Sequence, residues 1–82
     1  MLYVITPDGI EYKVKYTHSF NKDGSVYTIA FITDKNQRVL AKGVAHCSNK
    51  DTFSKKKGRI IATGRLYKDM GLPRTGLYYG KV

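Results

Sequence analysis

The sequence predicts an α+β fold: an antiparallel sheet of four strands, five if the tail adds one, carrying one C-terminal helix packed on one face. Strand-type alternation and β-branched runs fill most of the first 47 residues, punctuated by Pro, Asn, Asp and Gly clusters that signal turns. One stretch compatible with a helix, free of proline, follows at about residues 51–70. A chain of 82 residues has room for a single domain with one layer packed on another.

The first element, at about residues 2–6, is a short β-rich run. Thr6-Pro7-Asp8-Gly9 then combines a proline of preset φ with Asp-Gly, which predicts a hairpin turn. Residues 10–17 alternate without a fault, with Ile10, Tyr12, Val14 and Tyr16 on one face and Glu11, Lys13 and Lys15 on the other, so the first two strands should pair. Asn21-Lys22-Asp23-Gly24-Ser25 is the next turn. It leads into a strand at 26–33 with Tyr27, Ile29 and Phe31 on one face. Asp34-Lys35-Asn36-Gln37 turns the chain into a strand at 38–47. There Val39, Ala41, Gly43, Ala45 and Cys47 share one side, and Leu40, Lys42, Val44 and His46 share the other. Small residues on the first side predict close packing by a crossing helix.

That helix is expected to begin near Ser48-Asn49-Lys50-Asp51, with Asp51 as the N-cap because its carboxylate complements the helix dipole. On a helical wheel Phe53, Ile60, Gly64 and Tyr67 fall within roughly 60° of one another, which predicts one packed face. Gly64 would then let the helix lie close to a floor of Gly43 and Ala45. Gly71 is a natural C-terminal stop, and Pro73 prevents continuation. The tail, 74–82, carries Leu77-Tyr78-Tyr79 between glycines and reads as a last short strand or a partner-dependent arm. No repeat or linker divides the chain.

The formal charge of +9 arises from 15 basic and 6 acidic residues and is unevenly placed. Residues 1–47 hold six Lys/Arg against four Asp/Glu, whereas residues 48–82 hold nine against two. A surface concentrating that much positive field attracts polyanions: nucleic acid, anionic lipid or an acidic protein face. A lone cysteine, Cys47, rules out an internal disulfide and points to a reducing compartment. The N-terminal residues lack a signal-peptide pattern, and no window approaches the roughly 18 apolar residues of a membrane span. A cytoplasmic protein with no membrane partner is expected.

Catalysis has little to work with. The inventory is His18, His46, Cys47, one glutamate and five aspartates, and Asp8, Asp23, Asp34 and Asp51 are accounted for by turns or a cap. His46 and Cys47 are adjacent on a strand, so their side chains point to opposite faces and cannot share a metal or form a nucleophile–base pair. No glycine-rich phosphate loop is present. Neither an enzyme, nor a metal site, nor a cofactor is expected.

The positive chemistry lies in Phe53-Ser54-Lys55-Lys56-Lys57-Gly58-Arg59. Lys55, Lys56, Lys57 and Arg59 crowd the first turns of the helix, where unpaired N–H groups and the positive dipole end already favour an anion. Cations there oppose helix stability by a few tenths of a kcal/mol each. A polyanionic partner would supply the missing negative charge; a solvated lysine-rich face is the alternative. Arg65, Lys68 and Arg74 extend the basic surface, and Tyr78 and Tyr79 are candidates for stacking on a nucleotide base. Phe53 is expected to anchor the helix to the sheet.

Two resemblances bear on this reading. From Tyr27 to Leu66, the order strand, strand, helix with Phe-Ser-Lys-Lys-Lys-Gly-Arg-Ile-Ile-Ala at the helix start resembles the C-terminal half of a double-stranded-RNA-binding domain. In that family the lysines of a Ser-Lys-Lys-x-Ala-Lys helix start span phosphates across a groove, which implies such a role for Lys55, Lys56 and Arg59. The family's first helix is replaced here by a hairpin, and its Gly-Pro-x-His loop is missing. The stretch from Gly43 to Leu66, with Cys-Ser-x-x-Asp-x-Phe-Ser-Lys-Lys before a helix containing Ala-x-Gly-Arg, is similar to small basic orphan proteins of bacteriophages and prophages. That class includes anti-defence proteins of the anti-CRISPR and nucleotide-sponge types, which implies action in a bacterial cytoplasm. The expected function is therefore non-enzymatic binding of a nucleic acid, a nucleotide ligand or a host ribonucleoprotein, with a homo-oligomer able to supply a shared site. The alternative is a protein-interaction module that binds an acidic protein surface without nucleic acid.

Overall fold

The structure, a computed structural model, describes residues 2–6, 9–50, 52–71 and 78–80. It is α+β, with one helix, α1 (Lys55–Asp69), following strands β1 (Leu2–Ile5), β2 (Glu11–Lys13), β3 (Lys15–Phe20), β4 (Val26–Thr33) and β5 (Val39–Cys47). A last strand, β6 (Tyr78–Gly80), comes after the helix. Every pairing is antiparallel, in two sheets of order β2-β1-β6 and β3-β4-β5.

The single four-stranded sheet expected from the sequence is therefore divided in two. The division falls at Val14, where the run read as one strand leaves β1 as its partner and takes up β4. Lys13 is still opposite Tyr3, the Val14 N–H donates to the Leu2 carbonyl at 2.8 Å, and Lys15 is already opposite Phe31. Alternation continues through the junction, so Tyr12, Val14 and Tyr16 all point to the core side, but Ile10 is exposed. The tail does supply a strand, pairing Tyr79 with Tyr3.

Three hairpins share one turn design. Gly9, Gly24 and Gln37 occupy the left-handed region at φ 86, 88 and 66°, and each N–H donates to the carbonyl three residues back, of Thr6, Asn21 and Asp34. This is the three-residue loop in which a left-handed residue restores the strand register. Asp23 Oδ1 accepts from the Ser25 N–H and hydroxyl, and these bonds lower the Asp23 pKa. Asp34 Oδ1 accepts from Asn36 N–H and Arg38 N–H. Gln37 lacks the glycine that its backbone conformation favours.

One core joins the two sheets and the helix, with Leu2, Val4, Val14, Ala30, Ile32, Ala41, Ala45, Ala62, Leu66 and Tyr67 at its centre. The floor of small residues on β5 does receive α1, as expected. Gly43 is the point of closest approach: a Cβ there would run into the α1 backbone at Ala62, Arg65 and Leu66. Its cross-strand partner is Ala30, so three small residues, Gly43, Ala30 and Ala62, let the layers meet. On β4 the helix side is taken by Val26, Thr28, Ala30 and Ile32; Tyr27, Ile29 and Phe31 lie on the opposite face.

The packed stripe of α1 differs from the expected one. Buried on it are Ala62, Thr63, Leu66 and Tyr67, whereas Ile60 is 51 % exposed and a Cβ at Gly64 would touch nothing within 4 Å. The buried stripe is centred roughly 100° around the wheel from the face that carries Ile60 and Gly64, and Phe53 precedes the helix. The cap differs too. Ser54 is the N-cap, in extended conformation, and its Oγ accepts from the Lys57 N–H at 3.2 Å; Asp51 lies outside the described residues. At the other end Gly71, at φ 72°, donates to the Lys68 carbonyl and ends the helix as expected; Pro73 lies outside the described residues.

Buried hydroxyls tie the layers together. Thr63 Oγ1 donates to the Arg59 carbonyl at 2.6 Å and, having spent its only hydrogen, accepts from Tyr16 Oη at 2.7 Å. Burial raises the Tyr16 pKa, against the lowering effects of the Thr63 hydrogen bond and the Arg59 charge. Along the edge of β5, the Arg65 guanidinium donates to the Val44 carbonyl and Asp69 Oδ2 accepts from the Lys42 N–H. Helix side chains thus occupy edge groups that could otherwise pair with another strand.

Two pairs of substitutions test this packing by thermal or urea unfolding. Gly43→Ala is expected to destabilise by about 3 kcal/mol or more, because its neighbours are backbone and cannot yield. Gly64→Ala should stabilise by up to about 1 kcal/mol. Gln37→Gly should raise the melting temperature by about 3–6 °C, through relief of about 0.5–1 kcal/mol of left-handed strain, whereas Gln37→Val should lower it.

A candidate anion-binding site at the helix start

The chain enters α1 from the end of β5, and the site is built from what fastens that entry to the sheet. Phe53 meets the His18 ring edge-on at a centroid separation of 5.6 Å, and the Phe20 ring at 5.8 Å. This is the anchoring role expected of Phe53, with its partners on β3. His18 Nδ1 lies 2.9 Å from Thr28 Oγ1 on the neighbouring strand. Gly58 is pressed against the same threonine: a Cβ there would lie 2.6 Å from Thr28 Oγ1. The glycine inside the basic run therefore has a packing reason, which is to let the first helical turn settle on β4.

With that turn held down, the cations are displayed. Lys55, Lys56 and Lys57 are exposed and Arg59 is half-buried, and the first turn contains no acidic residue. Among the described residues no carboxylate is paired with any of these four side chains. Lys55 and Arg59 lie on the β3 side, close enough to His18 for both charges to act on it. Burial lowers the His18 pKa first, and the Lys55 and then the Arg59 charges lower it further. Lys57 lies on the β5 side, at the rim of a cleft of about 410 Å³ that also takes in Thr28, Ala45, Cys47, Phe53 and Ile61. That volume is in the range of small-ligand sites.

The remaining basic residues do not converge here. Arg65 is committed to the β5 edge through Val44. Lys68 is in the last turn of α1, about 16 Å along the axis from Lys57, where its charge suits the negative end of the dipole. Arg74 lies outside the described residues. Tyr78 and Tyr79 are placed on β6, paired with β1 rather than with the strands beneath the helix start; their side chains are outside the described set.

His18, Phe20 and Thr28 belong to the site but not to the set of residues singled out from sequence. The signal was present, because the alternation through Tyr12, Val14 and Tyr16 continues in phase to His18 and Phe20. Extending that strand to Phe20, where it ends, puts both residues on the helix side. His46 and Cys47 do face opposite ways, the His46 ring lying against Tyr27 at a centroid separation of 4.6 Å and a tilt of 37°. Among the described residues no three His, Cys, Asp or Glu side chains are grouped so as to hold a metal, and no helix is long and apolar enough to cross a membrane. Comparison with family models, curated proteins and solved structures finds no match for this chain.

The electrostatics of this corner are testable at His18. Its folded-state pKa is depressed, so the folded protein resists protonation of the ring and the unfolded chain does not. Stability is then full above the unfolded value of 6.5 and is lost as pH falls below it, through the folded-state pKa. An NMR titration should place the His18 midpoint below 6.5, and Lys55→Gln should move it upward.

Proposed function

We propose that this protein is a non-enzymatic binding protein that engages a phosphate-rich partner through the start of α1. The observation that carries the proposal is the display of Lys55, Lys56, Lys57 and Arg59 about a helix N-terminus without any acidic residue in its first turn. Such an arrangement opposes the helix dipole unless an anion is bound. A nucleic acid, a nucleotide or a ribonucleoprotein offers that anion in the required density. The likeness of the stretch from Tyr27 to Leu66, strand, strand and helix with lysines at the helix start, to the C-terminal half of a double-stranded-RNA-binding domain is part of this proposal. A role as a phage-type inhibitor of bacterial defence, acting in the bacterial cytoplasm, belongs to the same proposal.

A second reading, a module for an acidic protein surface, is favoured by one observation. Ile60 and Ile61 are exposed on α1 near Lys57, so part of the helix start presents apolar as well as basic surface, which suits a protein partner better than a phosphate backbone.

Salt-dependent binding separates the two. Wild-type protein is titrated with a labelled RNA duplex, and with inorganic polyphosphate as a base-free polyanion. If four phosphate contacts form, duplex affinity should fall on the order of 100-fold between about 50 and about 200 mM salt. Replacing Lys55, Lys56, Lys57 and Arg59 with Gln should abolish most of both the affinity and the salt slope. Unchanged binding by that variant, or no binding of either polyanion by the wild type, would refute the proposal. The protein-surface reading instead expects Ile60→Glu to disrupt the complex with the true partner.

A further inference from the structure

The face of the β3-β4-β5 sheet that turns away from α1 has a composition the packing does not explain. In β4 the larger residues point outward: Tyr27 is 39 % exposed, and Ile29 and Phe31 are half-buried. Cross-strand register arranges this face in rows. Phe31 has Lys15 of β3 on one side and Lys42 of β5 on the other. In the next row Ile29 is opposite Val44, and in the row after that Tyr27 is opposite His46 with the two rings in contact, tilted by 37°. None of the three strands contains an Asp or a Glu.

We infer that this face, uncovered among the described residues, is a stacking platform for single-stranded nucleic acid, a second binding surface on the opposite side of the sheet from the helix start. Aromatic rings on an uncovered sheet accept the faces of unpaired bases, and flanking cations take the backbone phosphates. Tyr27 and Phe31 are four residues apart on one strand, about 13 Å. That is well beyond the roughly 3.4 Å step of directly stacked bases, so an intervening base lies over the Ile29–Val44 row. The ammonium of Lys15 is held by the neutral acceptors Thr33 Oγ1, at 3.1 Å, and Gln37 Oε1, at 3.3 Å, so its charge is not cancelled by a carboxylate. The same absence of acids argues against a second copy of this chain as the occupant, because self-association would bring lysine against lysine.

The test is fluorescence anisotropy with a labelled twelve-nucleotide oligouridine, and competition by inorganic polyphosphate as the base-free probe. The double variant Tyr27→Thr, Phe31→Thr keeps β-forming residues on an exposed face. It should lose at least about tenfold in oligouridine affinity and retain polyphosphate binding. The variant Lys15→Gln, Lys42→Gln leaves the apolar face intact and should weaken oligouridine binding with a shallower salt slope. The helix-start site is tested by loss of polyphosphate binding in the helix-start variant, whereas this proposal stands or falls by the oligouridine arm, so the two failures are distinguishable. Equal oligouridine affinity in wild type and both double variants would overturn it. So would a concentration-dependent dimer that the Tyr27→Thr, Phe31→Thr variant abolishes without any change in oligouridine binding, which would assign the face to self-association.

Discussion

Gly43 brings the backbone of β5 against the backbone of α1, and the consequences extend across the molecule. Ordinary helix-on-sheet packing is held apart by side chains; here the carbonyl of Ala62 and the amide of Leu66 occupy the space a Cβ would need. With the layers so close, the inner face can accept only small or slender residues near the contact, and Ala30, Ala41, Ala45 and Ala62 meet that demand. The bulky alternates of β4 are left on the outer face. Close approach at Gly43 and at Gly58 also fixes how the helix start sits, with Phe53 seated on His18 and Phe20 and the lysines projecting beyond the sheet.

That geometry separates two kinds of basic residue that look alike in sequence. Arg65 serves the fold, joining Asp69 in closing the β5 edge. Lys55, Lys56 and Lys57 have no structural partner of this kind among the described residues, and by helix electrostatics they oppose the element that bears them. Stability tends to be sacrificed where a site must be kept ready for a ligand. The pKa of His18 is depressed first by burial, and the Lys55 and Arg59 charges lower it further.

Much of the fold is legible in the sequence because local chemistry dictates it. The three turns rest on Pro, Asn, Asp and Gly at fixed offsets, the floor of small residues on β5 announces a close helix, and Gly71 marks the helix end. What is not legible depends on distant contacts. The change of partner at Val14 leaves no trace in an alternation pattern that runs through it. The helix phase is misjudged when Ile60 and Gly64 are set on the packed face, since the stripe of Ala62, Thr63, Leu66 and Tyr67 is centred roughly 100° away on the wheel. The cationic part of the candidate site can be read from the run Lys55 to Arg59, but its supports cannot, because His18 and Phe53 are 35 positions apart in the chain.

The central claim is that the helix start is held in an electrostatically unfavourable state that an anion relieves. Thermal unfolding of wild type and of the Lys55→Gln, Lys56→Gln, Lys57→Gln variant, each with and without inorganic polyphosphate, tests it most directly. Without ligand the variant should melt several degrees higher than wild type, reflecting about 1 kcal/mol of relieved repulsion. Polyphosphate should raise the melting temperature of wild type and leave the variant almost unmoved. A variant that melts no higher than wild type and is stabilised equally by polyphosphate would contradict the account.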